Sequence, residues 1–132
     1  MEIVTIEIAK KLKTKGFPQG NEDDITRLYY QISDNLQSAI MLSEGKDVKW
    51  YCPSISEVLK WLRDEKNLFV YPSTVQLPED ERLGERSGKR MWDFSVDDLN
   101  IDDCIFESQS KYHSYEEAAI AGIEWVLDNI LV

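Results

Sequence analysis

The stretch Ser54 to Asn67, SISEVLKWLRDEKN, constrains what this chain can fold into more than any other. Pro53 stands just before it, and a locked φ with no N–H sets up a chain reversal rather than a continuing strand. Ser54 then reads as an N-cap, and Glu57 three residues later completes an S-x-x-E capping box. The two side chains satisfy N–H groups that a helix start leaves unpaired. Ile55, Val58, Leu59 and Leu62 follow at i, i+3, i+4 and i+7, one apolar stripe of the helical period. Trp61 falls at the edge of that stripe and is expected to cover the core margin. Asp64 and Glu65 face away, and Asn67 is placed to close the helix. Such a rod must bury its stripe, so the rest of the chain has to supply a surface for it.

The C-terminal region repeats the device. Ser114 and Glu117 form a second S-x-x-E box, and Tyr115, Ala118, Ala119, Gly122, Ile123, Val126, Leu127 and Ile130 keep the helical period. Ala118, Ala119 and Gly122 are small, which lets this helix approach a sheet or another helix closely. A third helix is expected from about Thr5 to Lys15, with Ile8, Ala9 and Leu12 inward. Gly16 and Phe17 then imply a Schellman ending, with Phe17 folding back on Leu12. Lys10, Lys11, Lys13 and Lys15 crowd its last turns, where positive charge meets the negative end of the helix dipole. That explains them as a solvated helix end; a docking patch is the alternative.

Between the helices the period changes to two. Ala39 to Ser43 and Asp47 to Cys52 flank Glu44-Gly45-Lys46 and read as a hairpin. Leu68 to Tyr71 is a strand, interrupted at Pro72 and resumed to Gln76. Met91 to Val96 alternates Met91, Asp93 and Ser95 against Trp92, Phe94 and Val96, and Cys104 to Ser108 is a further strand. Pro78 to Arg90, PEDERLGERSGKR, has no apolar period and reads as an exposed, mobile loop within a hairpin. Ile25 to Ser33 fits both templates: Leu28, Tyr30 and Ile32 alternate as a strand would, while Ile25, Leu28, Ile32 and Leu36 fit a helix. The tyrosine pair and Ile32 favour a strand. The expected fold is a single α+β domain over residues 1–132: an antiparallel twisted sheet of about three to five strands with three helices, at least two packed on one face.

Composition bounds the function. With 132 residues, 42% hydrophobic, four Trp and six Tyr, the chain can form a packed core. No run reaches the roughly 18 apolar residues of a membrane span, and the start, MEIVTIEIAKK, lacks a basic segment followed by an apolar one. A cytoplasmic setting is therefore expected. In that reducing compartment Cys52 and Cys104 read as two buried thiols. One histidine is too few for a Cys/His zinc site, and no cofactor is expected. The net charge of −10, from 25 acidic against 15 basic residues, repels phosphate backbones and anionic membranes. It suits solubility or a basic partner surface.

Motifs that carry chemistry are incomplete. Gly84 and Gly88-Lys89 suggest a phosphate loop, but three residues separate the glycines where a P-loop has four, and Arg90 follows the lysine. Asp98, Asn100 and Asp102 open like a calcium loop, yet Asp103 stands where glycine is needed and Gln109 where the bidentate acid belongs. A turn rich in Asx side chains accounts for that cluster. Cys52 or Cys104 with His113 is a conceivable nucleophile and base, although neither cysteine sits at an activating helix start. The aromatic surplus is the remaining signal. Tyr29, Tyr51, Tyr71 and Tyr112 are expected on strands or strand ends, partly exposed. The charge argues against base stacking, which leaves a protein interface or a plain solvated face.

Three stretches, IAKKLKTKGF, CPSISEVLKWLRDEKNLFVY and SYEEAAIAGIEWVLDNIL, resemble a family of small uncharacterised proteins from prophage and mobile-element regions of anaerobic gut bacteria. The resemblance implies an α+β fold, a cytoplasmic setting and an accessory role, and it carries no catalytic residues. The expected function is a non-enzymatic protein-interaction module acting through its sheet face or acidic surface, one form being an acidic decoy of a basic partner. The alternative is a small enzyme or ligand-binding domain using Cys52, Cys104 or His113. Neither the partner nor the oligomeric state can be read from these residues.

Overall fold

The computed structural model describes residues 2–19, 39–44 and 48–131. The ambiguous segment from Ile25 to Ser33, and Tyr29 with it, lies outside them. In chain order the elements are α1 (Ile6–Thr14), β1 (Ala39–Glu44), β2 (Val48–Pro53), α2 (Ile55–Lys66), β3 (Leu68–Gln76), a 3-10 helix (Glu81–Arg86), β4 (Arg90–Asp98), β5 (Asp103–Glu107) and α3 (Tyr115–Asn129). β1 and β2 form an antiparallel pair; β3, β4 and β5 form an antiparallel sheet in that order. The chain is of the α+β class, with α2 and α3 packed on the three-stranded sheet and α1 against β2 and α3.

The helix signals act as their residues require. Ser54 Oγ accepts from Glu57 N at 3.2 Å, and Ser114 Oγ from Glu117 N at 3.1 Å. The Glu117 carboxylate also accepts the His113 N–H at 2.8 Å, one residue outside the usual capping box. Ile55 N, another donor that a helix start leaves unpaired, is taken by Glu2 O at 3.1 Å, so the N-terminal segment holds the start of α2. Asn67 ends α2 at φ 55. Gly16 at φ 88 turns the end of α1, and Phe17 N donates to Leu12 O at 3.0 Å, the expected Schellman bond.

One core joins all of this: Ile8 and Leu12 of α1, Cys52 of β2, Ile55, Val58 and Leu62 of α2, Val70 of β3, Phe94 and Val96 of β4, and Ile123 and Val126 of α3. Gly122 marks where α3 comes closest to the sheet. A Cβ there would meet Val70 Cγ1 at 2.6 Å and the Phe94 ring at 3.1 Å, so only glycine allows this approach. No helix among the described residues is long and apolar enough to cross a membrane.

Four expectations need correction. Trp61 is buried and Leu59 only half-buried, because Phe17 lies edge-on to the Trp61 ring at 5.2 Å and draws the buried stripe of α2 towards it. β3 runs unbroken through Pro72. Its partner Phe94 directs its N–H and C=O to Ser108 on the other side, so the Pro72 nitrogen faces the outer edge of the sheet, where no donor is needed. The proline thereby blunts that edge against further pairing. The connection from Pro78 to Lys89 is exposed but folded. It holds the 3-10 helix, capped by Asp80, and Gly88 N donates to Pro78 O at 3.0 Å while Gln76 Nε2 donates to Gly88 O at 2.8 Å. Finally, Cys52 is buried but Cys104 is exposed, because a bulge between Val96 and Asp97 turns Cys104 onto the uncovered side of the sheet.

Candidate interaction surface

Alternation along the strands assigns each side chain to one of two faces. Leu68, Val70 and Phe94, with Val96 and Phe106, face the helices. The other face carries Phe69, Tyr71, Ser73 and Val75 from β3, Met91, Asp93, Ser95 and Asp97 from β4, and Cys104 and Glu107 from β5. Among the described residues no helix packs on it. Three carboxylates and no lysine or arginine stand among these ten residues.

The residues on this open face are tied to one another. Phe69 and Tyr71, two positions apart, bring their rings to 4.9 Å, and Phe69 remains 40% exposed. The Ser95 hydroxyl bonds the Tyr71 phenol and pulls it down, but partial desolvation and the Asp97, Cys104 and Glu107 charges outweigh it, leaving the phenol above its ordinary range. Asp93 accepts from Ser73 Oγ and, at 3.0 Å, from Ser110 Oγ. The end nearest Met91 is closed: Met91 is buried, and Arg86 of the connection donates to Ser110 O at 3.0 Å. Near the other end, Asp97 Oδ1 is enclosed and accepts no hydrogen bond among the described residues. A buried acceptor left in this way costs about 1–3 kcal/mol.

The tyrosines singled out above are not brought together. Tyr71 lies on the open face. Tyr112 sits on the helix-covered side, half-buried, bridged to Trp92 through their backbones and 6.0 Å from the Phe94 ring. Tyr51 is half-buried on β2, 6.5 Å from Phe17. The lysines of α1 serve contacts within the chain: Lys10 and Lys13 each lie 5.4 Å from the Trp50 ring centroid, and Lys11 Nζ meets Asp128 Oδ1 at 2.7 Å. The helix dipole explained why positive charge gathers there, but not that Trp50 and Asp128 would receive it.

Nor are Cys52, Cys104 and His113 assembled. Cys52 is at 0% exposure in the core. Cys104 pairs with Asp97, and His113 follows Tyr112, which pairs with Trp92. Five strand positions separate those partners on β4, roughly 17 Å. The Cys104 thiol is pushed up, first by desolvation and then by Glu107 and Asp97, which is opposite to what a thiolate nucleophile needs. Among the described residues no group of three or more His, Cys, Asp or Glu is placed to hold a metal. The Asp98 cluster is the Asx turn read from its composition: Asn100 N donates to Asp98 Oδ1 at 2.9 Å, and Asp102 adopts φ 53.

Among the described residues, grooves lie at both edges of the sheet. One, of about 330 Å³, runs along the β3 edge between Phe69, Tyr71 and Tyr115 and the Lys60 and Arg63 side chains of α2, both of which are bound to Asp64. The other, of about 450 Å³, lies at the β5 edge beneath α3. Comparison with protein-family models, with curated proteins and with solved structures finds no match for the chain.

Proposed function

We propose that this chain is a non-enzymatic interaction module, acting in the cytoplasm, whose open sheet face receives a basic surface of another protein. The carrying observation is the composition of that face: an aromatic pair, exposed Phe69 and half-buried Tyr71, beside Asp93, Asp97 and Glu107, with no base among them. Aromatic rings supply contact area at low entropic cost, and the carboxylates select the sign of the partner. The carboxylates of Asp93, Asp97 and Glu107 give lysine or arginine donors charged acceptors on this face. A net charge of −10 extends the same field over longer range, as an acidic decoy of a basic protein would require.

The test is a paired pull-down with mass spectrometry, comparing the native chain with the Tyr71→Ala, Asp97→Asn double variant. A basic protein captured by the native chain, released by salt and lost from the variant supports the reading. Identical recoveries from both chains, when both melt at the same temperature, sink it.

A further inference from the structure

The groove at the β5 edge has a different chemistry from the open face. Its floor is aromatic: Phe106 and Trp125 stack at 4.2 Å and 18°, with Phe94 and Tyr112 beside them. Acids stand beside it: Glu124 and Asp128 lie one turn apart on α3. Ala121, one turn before Glu124, is too small to fill the space above the rings. Aromatic faces beneath carboxylates are suited to an organic cation, which the ring quadrupole attracts and the carboxylates hydrogen-bond. The volume is that of a small-ligand site.

The chain already brings cations to this place. Lys111 Nζ lies 5.6 Å over the Tyr112 ring, and Lys11 Nζ holds one Asp128 oxygen at 2.7 Å. Burial and the Glu124 charge push the Tyr112 phenol above its ordinary range, so the acidic field reaches the floor.

We propose that this groove takes the guanidinium of an arginine side chain on a partner polypeptide, displacing Lys111 from the Tyr112 ring. A guanidinium is planar, stacks on aromatic faces and donates in pairs to carboxylates, whereas a lysine ammonium is a strongly hydrated point charge. The site goes beyond the open-face reading: it lies on the helix-covered side and stands or falls without Tyr71 and Asp97.

The experiment titrates acetyl-Gly-Arg-Gly-amide into the full chain and follows the assigned Trp125 indole resonance, with lysine and citrulline peptides in parallel. A saturable shift with the arginine peptide is expected, roughly tenfold weaker with lysine and absent with citrulline. Glu124→Gln should weaken binding about fivefold and Lys111→Gln tighten it about threefold, the second because the internal competitor is gone. Both substitutions are on exposed side chains and leave the core intact. Ala121→Leu should abolish binding by filling the groove. No saturable shift, equal shifts with arginine and citrulline, or a Lys111→Gln variant that binds no better than the native chain would overturn the proposal. Free arginine amide binding as tightly as the peptide would overturn the assignment to a polypeptide.

Discussion

The two faces of the β3–β4–β5 sheet are built from the same three strands, yet one is a packed interior and the other a polar surface with two aromatic rings on it. Towards α2 and α3, residues such as Val70, Phe94 and Val96 are almost wholly excluded from water. On the opposite side Phe69 and Val75 each stay 40% exposed, and carboxylates sit between aliphatic and hydroxyl neighbours. Strand alternation alone produces this division, since a shift of one residue exchanges the faces. Stability is therefore concentrated on the helix-covered side of the sheet.

That contrast can be broken by substitution, starting with the largest effect. Ile123→Ala removes a fully buried side chain at the α3–sheet contact and should cost about 2–5 kcal/mol in urea unfolding. Gly122→Ala, with its new methyl 2.6 Å from Val70 Cγ1, should cost about 1–3 kcal/mol by forcing α3 off the sheet. A cost near zero would show that α3 rides higher on the sheet than a 2.6 Å approach implies. Ser114→Ala removes the α3 cap and should cost roughly 0.5–2 kcal/mol in thermal unfolding, without moving the end point of far-UV circular dichroism. Phe69→Ser, on the open face, should stay within about 0.5 kcal/mol of the native chain. If it proves as costly as Ile123→Ala, the two faces are not different in kind.

A titration sharpens the same comparison. The Tyr71 phenol should ionise above the ordinary value of about 10, read by absorbance at 295 nm, and Asp97→Asn should lower it by removing a facing carboxylate. A folded-state value raised above the unfolded one means that the native chain binds the proton more tightly. That contribution to stability is complete below about pH 10 and is lost as pH rises through the folded value.

Local signals were legible wherever a residue acts on its own neighbours. The Ser54 and Ser114 caps, the Asn67 stop, the Gly16–Phe17 ending and the Asp98 turn each depend on a few adjacent residues, and the structure reproduces them. So does the alternation of Met91, Asp93 and Ser95 against Trp92, Phe94 and Val96. Contacts between distant residues were not legible. Nothing beside Trp61 announces that Phe17 will cover it, and nothing beside Lys11 announces Asp128. Tyrosine content pointed to recognition without saying that Tyr71 and Tyr112 would lie on opposite sides of one sheet.

Residue order by itself determined the capped helices, the period-two strands, the acidic field and the small-residue face of α3, because caps, periods and charge are properties of short segments or of simple sums. Which side of the sheet the helices cover, where the Val96–Asp97 bulge turns Cys104 outward, and how Phe106, Tyr112 and Trp125 converge under Glu124 were decided only by the tertiary structure. Those arrangements depend on pairing register and on side chains far apart in the chain, and no local pattern encodes such distances.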